Sequence, residues 1–317
     1  MLSYRNIVVG TDFSPLAELG VQAALELAAA QGARRVHLVH VVQTSTPVLP
    51  ALVSEGRQLE ISTRAERVAL ERLQAVPLGK TMARVTHEVR VGSPAKELAA
   101  VADEQKADLV VIASHSGNAL TRLVLGSAAG NLIRVAHCPV LVVNGPTEAP
   151  GKFRRVVAAI DLSPVSQPVL ANAFNIAYAS GASVRVVSFC EVPLLSGTGD
   201  LGVPSPTKAE ELEQLHQAHR EEIGRLLRRV PRGCVEVEVD VVHRGPAPQA
   251  ILEAARQLEA DLLVLGTSGR NAWHRMILGS TTHHVLSKSP CPVLVVPLEV
   301  KEQVPDLART PALEAGG

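Results

Sequence analysis

Aromatic side chains are scarce in this chain: one Trp, two Tyr and four Phe, 2% of 317 residues. That excludes a stacking platform for single strands or RNA bases. An excess of charge of either sign is also missing, with 31 Lys+Arg against 31 Asp+Glu, which argues against a general nucleic-acid or polyanion binder. No apolar run approaches the roughly 18–20 residues of a membrane helix. Met1-Leu2-Ser3-Tyr4-Arg5-Asn6 leads straight into Ile7–Gly10, without a basic stretch followed by a long apolar one, so the cytoplasm is the expected location. The four cysteines, Cys138, Cys190, Cys234 and Cys291, are scattered with no CxxC pair, so neither a zinc site nor a disulfide framework is expected. A Ser-His-Asp order, paired carboxylates, a Walker-type G-K-[ST] and a G-x-G-x-x-G fingerprint are all missing. No catalytic residue is assigned.

What the chain does contain is a duplicated unit. Hydrophobic residues at 46% and charged residues at 20% suit a globular protein, and the length suits two domains. Asp108–Val143 lies over Asp261–Val296 without a gap, at an offset of 153 that already holds at Gly92 and Gly245. Further upstream, Ile7–Pro15 lies over Val156–Pro164 at an offset of 149. A period this long is a domain duplication, not a solenoid repeat. The expected units are residues 1–147 and 152–298, followed by a surface tail, 299–317, rich in Pro, Glu and Ala.

Each unit alternates apolar strand-like runs with helical patterns. The runs are Ile7–Gly10, Val36–Val42, Ala83–Val91, Leu109–Ala113 and Val140–Val143, then Val156–Ile160, Val184–Cys190, Val235–Val242, Leu262–Gly266 and Val293–Val296. Most are continuous Val/Ile/Leu, as in parallel strands covered on both faces. The third run of each unit alternates, which suits a half-exposed edge strand. Ser14-Pro15, Ser163-Pro164 and Ser93-Pro94 are N-cap and first-turn pairs, and Gly32 and Gly181 stop the first helix of each unit. A helix from about Thr207 to Val230 carries an apolar stripe of Leu212, Leu215, Ile223, Leu226 and Val230. The predicted class is α/β, with two tandem doubly wound five-stranded parallel sheets. Ligands of such sheets bind beyond the carboxyl ends of the strands.

Those strand ends carry chemistry. The first strand of each unit leads to an acid, Asp12 or Asp161. The fourth strand of the second unit leads into Gly266-Thr-Ser-Gly269, and nine residues later Gly279-Ser280 opens a helix. Glycines let a backbone approach a phosphate, and a helix N-terminus adds free amides and a positive dipole end. Arg270 adds a charge. Glycine spacing of this kind also occurs in plain strand-to-helix turns. Asp161 could serve the dipole of the helix that follows it, but Ser163 can already cap that helix, which favours the ligand role.

I-D-x-S-P after the first strand, G-T-x-G-R with a following L-G-S, and then C-P-V-L-V-V together resemble the universal stress protein family. Both units resemble it, over roughly residues 1–145 and 152–298. The resemblance implies sheets of order 3-2-1-4-5 that pair through their fifth strands as a pseudo-dimer. For the ATP-binding branch it implies ribose and adenine contacts at Ala159, Ile160, Asp161 and Cys190. It implies phosphate contacts at Gly266, Thr267, Gly269, Gly279, Ser280, Thr281 and Thr282. The first unit keeps Asp12, Val41, His115, Gly126 and Ser127 but has Ala113 and Ser116 where the loop glycines belong, which makes it a weaker second site. Ser268 stands where the family usually has His.

The expected function is that of an ATP-binding stress-response regulatory protein, with Mg as an optional companion of the nucleotide. Nucleotide is expected mainly in the second unit, with slow or absent hydrolysis because no general base or arginine finger is visible. Adenine nucleotide and an unidentified regulatory protein are the expected partners, with neither nucleic acid nor membrane. Homodimerisation is left open beside the intramolecular pseudo-dimer. A nucleotide-independent adaptor with vestigial sites is the alternative. An ATP-pyrophosphatase-like or adenylate-forming enzyme ranks third, because it needs a Ser/Gly-rich loop after strand one and this chain has T-D-F-S-P and I-D-L-S-P. Cys138 and Cys291 are read as small apolar residues, not a redox pair. His216 and His219 have a chelating spacing, but His219 falls on the apolar stripe and no third ligand appears.

Overall fold

The computed structural model describes residues 3–43, 55–79, 81–114, 125–145, 150–189, 207–242, 246–267 and 278–298. The first repeat runs β1 (Asn6–Gly10), α1 (Pro15–Gln31), β2 (Arg35–Val42), α2 (Glu55–Gln74), β3 (Arg84–Val91), α3 (Pro94–Glu104), β4 (Leu109–Ala113), α4 (Ser127–Val135) and β5 (Val140–Val143). The second runs β6 (Arg155–Ile160), α5 (Ser166–Ser180), β7 (Ser183–Phe189), α6 (Thr207–Arg229), β8 (Val237–Val242), α7 (Ala247–Gln257), β9 (Leu262–Gly266), α8 (Ser280–Lys288) and β10 (Val293–Val296).

All strands join in a single ten-stranded sheet of order β3-β2-β1-β4-β5-β10-β9-β6-β7-β8. Each half has the expected 3-2-1-4-5 order and is parallel throughout. The halves join through their fifth strands, as the resemblance implies, so the sheet is continuous. β5 and β10 pair antiparallel with Leu141 opposite Leu294, and these two four-residue apolar strands lie at 2% exposure or less. Unpaired, they would be apolar edges open to association with another chain. The alternating strands β3 and β8 occupy the two outer edges, half-exposed as their pattern predicts.

Helices α1, α2, α5 and α6 cover one face of the sheet and α3, α4, α7 and α8 the other, each face with its own apolar core running across both repeats. On the first face Tyr4 donates to Asn172 Oδ1 across the pseudo-two-fold at 2.5 Å. Burial, followed by the neighbouring Cys138 and Asp108, raises the pKa of this phenol. One carboxylate per repeat ties the start of the fourth strand to the start of the first. Asp108 accepts from the amides of Arg5 and Asn6, and Asp261 from those of Arg154 and Arg155.

Several local expectations are corrected. Ser14 caps α1, accepting from the Ala17 amide at 3.2 Å, but its counterpart Ser163 does not cap α5. That helix starts at Ser166 after Val165, and the buried Ser163 hydroxyl has no hydrogen-bond partner among the described residues. Ser93 stands at the cap position of α3 without a side-chain bond. The stripe of α6 holds at Ile223 and Val230, but Leu215 is 37% exposed. The side chain of Leu212 lies outside the described residues.

Candidate functional site

The first repeat has an open cleft at the carboxyl ends of its central strands. Its floor is apolar, with Val39 and Val41 from β2, Leu98 from α3 and Ile112 from β4. Asp12, Gln43 and Ser114 supply polar groups, and Gly126, Ala128 and Ala129 bring in the start of α4. A Cβ on Gly10 would lie 2.7 Å from a Leu98 methyl, so this glycine lets α3 close the floor. Three of the residues expected in the weaker site, Asp12, Val41 and Gly126, therefore meet in one cleft. Ser127 is exposed at the first position of α4 beside it, and His115 lies outside the described residues, as does Ser116.

The turn after β1 is built the same way in both repeats. Phe13 and Leu162 have φ of 63° and 60°, a left-handed backbone that bulky side chains adopt at a cost of roughly 1–3 kcal/mol. This bend lets the preceding carboxylate accept the amide two residues on. Asp12 Oδ1 takes the Ser14 amide and Asp161 Oδ1 the Ser163 amide, each at 3.0 Å. Both aspartates thus hold their own loop, a role distinct from serving the helix dipole. Asp161 Oδ1 also accepts from the Ser166 hydroxyl at 3.3 Å, whereas the corresponding residue in the first repeat is Ala17. Only the shared D-x-S-P spacing hinted at this strained turn. Phe13 is further packed by His40, ring centroids 4.5 Å apart, and by the Arg72 guanidinium 4.1 Å over its ring.

In the second repeat, Thr267 donates its amide to Val296 O and accepts the Gly279 amide on its own carbonyl at 2.8 Å. That bond brings the end of β9 to the N-terminus of α8, so Gly266, Thr267, Gly279, Ser280 and Thr281 converge. The first repeat closes its loop identically, through the Gly126 amide on Ser114 O at 2.8 Å. Among the described residues neither α4 nor α8 has a side-chain cap, and amides at a helix start of this kind suit an anion. Thr282 is buried and donates to Gly266 O at 2.7 Å, so its hydroxyl proton serves the fold. Gly266 also has a packing reason to be glycine, since a Cβ there would fall 2.5 Å from a Val165 methyl. Ser268, Gly269, Arg270 and Cys190 lie outside the described residues.

Sheet register sets the equivalence of the second strands. Ile7 pairs with Val36 and Val156 with Val184, so Val41 corresponds to Phe189 and Val42 to Cys190. One residue is dropped between α5 and β7, which a constant offset misses. Ala159 and Ile160 are buried at the end of β6.

Elsewhere, His219 is buried and its Nε2 lies 2.9 Å from Ser188 Oγ, as its place on the apolar stripe predicts. Among the described residues no group of three His, Cys, Asp or Glu could hold a metal ion. No described helix is long and apolar enough to cross a membrane. Cys138 and Cys291 each precede one strand of the antiparallel junction, which puts them at its opposite ends.

The profile of the Universal stress protein family matches residues 3–144 and again residues 152–297. A universal stress protein of Mycolicibacterium smegmatis is 32% identical over 296 residues, covering 92% of this chain and 96% of that one. One from Mycobacterium tuberculosis is 31% identical over 335 aligned positions, covering 95% and 97%. The crystal structure of a universal stress protein from Archaeoglobus fulgidus superposes with a TM-score of 0.63 at 20% identity, covering 92% of this chain and 96% of that one. Its likeness is one of fold.

Proposed function

The chain belongs to the universal stress protein family, and from that premise we propose that it is a stress-response regulatory protein that binds adenine nucleotide. ATP is held mainly by the second repeat, and turnover is slow or absent. The observation that carries this reading is the 2.8 Å bond from the Gly279 amide to Thr267 O. It gathers the glycine-bearing end of β9 at the uncapped N-terminus of α8, where backbone amides and the helix dipole favour a phosphate. Gly266, Thr267, Gly269, Gly279, Ser280 and Thr281 would hold the phosphates, with Arg270 adding charge. Asp161, with the backbone at Ala159, Ile160 and Cys190, would face the ribose and base.

A second reading has its own support. Asp161 and Gly266 each have a structural job in this fold, as a vestigial site in a nucleotide-independent adaptor would require. Titration of the full chain with ATP separates the two. The nucleotide reading expects about one equivalent bound, lost or weakened at least about tenfold in Gly269→Val, since each amide contact to a charged oxygen contributes roughly 1.5–3 kcal/mol. Turnover should stay far below the roughly 1–100 per second of kinases. No binding by the wild type favours the adaptor, and turnover above about 1 per second makes the protein an enzyme.

A further inference from the structure

We propose that the amino-terminal edge of the sheet in the first repeat is a docking surface for an extended, acidic segment of a partner protein. It lies at the opposite end of these strands from the cleft lined by Asp12 and Val41, and it does not depend on either repeat binding nucleotide.

The starts of four adjacent strands carry basic residues in the order of the sheet. Arg84 opens β3, Arg35 opens β2 behind Arg34, Arg5 precedes β1 and Lys106 precedes β4. Backbone bonds hold the line. The Arg84 amide donates to Arg34 O at 2.9 Å, and the Arg34 and Arg35 amides donate to Arg5 O at 2.8 and 3.0 Å. Asn6 Nδ2 donates to Lys106 O at 3.4 Å. At the usual spacing of neighbouring strands the row is about 14 Å long. Arg5, Arg34, Arg84 and Lys106 are exposed, and none of them has an ion pair among the described residues. The carboxylates of this end are engaged elsewhere: Asp108 with the amides of Arg5 and Asn6, Asp103 with His137, and Glu104 with Arg90.

A cation beside a helix C-terminus complements the helix dipole, and α1 and α3 both end at this edge. The second repeat shows that the fold does not require it. There α5 and α7 end in the same way, yet Ala182 and Ser183 stand where the first repeat has Arg34 and Arg35, and Glu236 stands for Arg84. Glu259 stands for Lys106, and the two share a left-handed backbone, with φ of 46° and 49°. The same architecture thus accepts a neutral or acidic edge, so packing does not account for the basic one.

Arginine forks pair with carboxylates through two parallel bonds. Alternate side chains of an extended chain share one side at about 6.6 Å intervals, so about three carboxylates span the row. Met82, 100% exposed and two residues before Arg84, offers a flexible apolar contact beside the charges. That combination suits a peptide side chain better than a phosphate backbone. Exposed Asp103 and Glu104 lie within three residues of Lys106, and a flat anionic surface such as a membrane would bring its charge against theirs.

The test is fluorescence anisotropy of the full chain with two labelled probes, a short oligoglutamate peptide and the same peptide with one terminal Leu. Wild type is compared with Arg34→Ala, Arg84→Glu and Lys106→Glu combined, which copies residues the second repeat already carries. A control combines Arg220→Glu, Arg228→Glu and Arg232→Ala, the same change in net charge on exposed arginines of α6 and the loop after it. Circular dichroism confirms that each variant is folded, and Arg84→Glu alone should show a smaller loss of the same sign. Both peptides should saturate the wild type at about one equivalent, more weakly as salt rises. Affinity should fall at least about tenfold in the first combined variant, through lost charge-assisted hydrogen bonds, and change little in the control. Met82→Gln should weaken only the peptide that carries Leu. No saturable binding, an equal loss in the control, or equal binding of an oligoglutamine peptide overturns the proposal. An unchanged affinity of the Leu peptide in Met82→Gln removes the reason to choose a protein segment and overturns it too. So does tighter binding of phosphatidylserine vesicles or single-stranded DNA that the first combined variant abolishes, which gives the row to a different anion.

Discussion

At the scale of single residues, chemistry and packing compete for the same positions. Gly266 is glycine in a loop whose spacing points to phosphate, yet a Cβ there would lie 2.5, 3.0 and 3.3 Å from the γ and β carbons of Val165. Valine is stiff at χ1 and cannot swing away cheaply. Gly266→Ala should therefore lower stability by about 1–3 kcal/mol, and Val165→Ala in the same chain should recover most of that loss. Urea unfolding of the two single variants and the double variant measures the coupling. Additive losses would show that Val165 is not the reason for the glycine. The cysteines give a second residue-scale expectation. Burial, the largest influence, pushes the Cys291 thiol up to about 12, while Cys234 is exposed. At pH 8 a thiol reagent should label Cys234 rapidly in the folded protein and Cys291 only at the rate of unfolding. Mass spectrometry of the labelled peptides reads both, and equal rates would contradict the burial of Cys291.

At the scale of elements, the strands were legible because their residues leave few alternatives. Leu109–Ala113, Val140–Val143, Leu262–Gly266 and Val293–Val296 are observed with the bounds their apolar runs predict. Helix starts were less legible. Ser14-Pro15 and Ser163-Pro164 read alike, but the second begins its helix two residues later, with Val165 packed against Gly266 just before it. The candidate site was legible in the same uneven way: the strand ends and the opening of α8 meet as expected, while the left-handed residues after Asp12 and Asp161 have no composition signal. The polar cluster at the β2–β3 edge was not visible either, because its members are far apart in sequence. His37 Nε2 lies 2.6 Å from Glu88 Oε2, His37 Nδ1 lies 2.6 Å from Thr86, and Arg90 bridges Glu88 to Glu104. Burial acts to raise the Glu88 pKa, but His37 and Arg90 together hold it below the ordinary carboxylate value. A depressed carboxylate contributes stability above its unfolded pKa and loses it as pH falls through the folded one. Glu88→Gln should thus cost about 1.5–3 kcal/mol at pH 7, and the gap to wild type should shrink as pH falls below about 4. Urea titrations at pH 7 and pH 3 measure it, and a gap that does not change with pH would remove the ionised carboxylate from the account.

At the scale of the whole molecule, the decisive feature is that the two repeats share one sheet and two continuous cores. The antiparallel join of β5 and β10 turns the carboxyl ends of the two halves in opposite directions, which keeps their candidate sites apart. It also makes the halves depend on each other for stability. Leu141 and Leu294 face each other across the join with no exposure to solvent. A carboxylate at either position would be buried without a partner, a change among the few that destabilise by more than about 4 kcal/mol. Leu294→Asp should therefore loosen the first repeat as well as the second, although the substitution lies in the second alone. Hydrogen exchange followed by mass spectrometry should show protection falling together in β1 and β6, the central strands of the two halves. If β6 loses protection while β1 keeps it, the repeats are independent folding units that merely touch. If both fall together, the duplication has produced one cooperative molecule, and a ligand bound to either half would stabilise the whole of it by mass action.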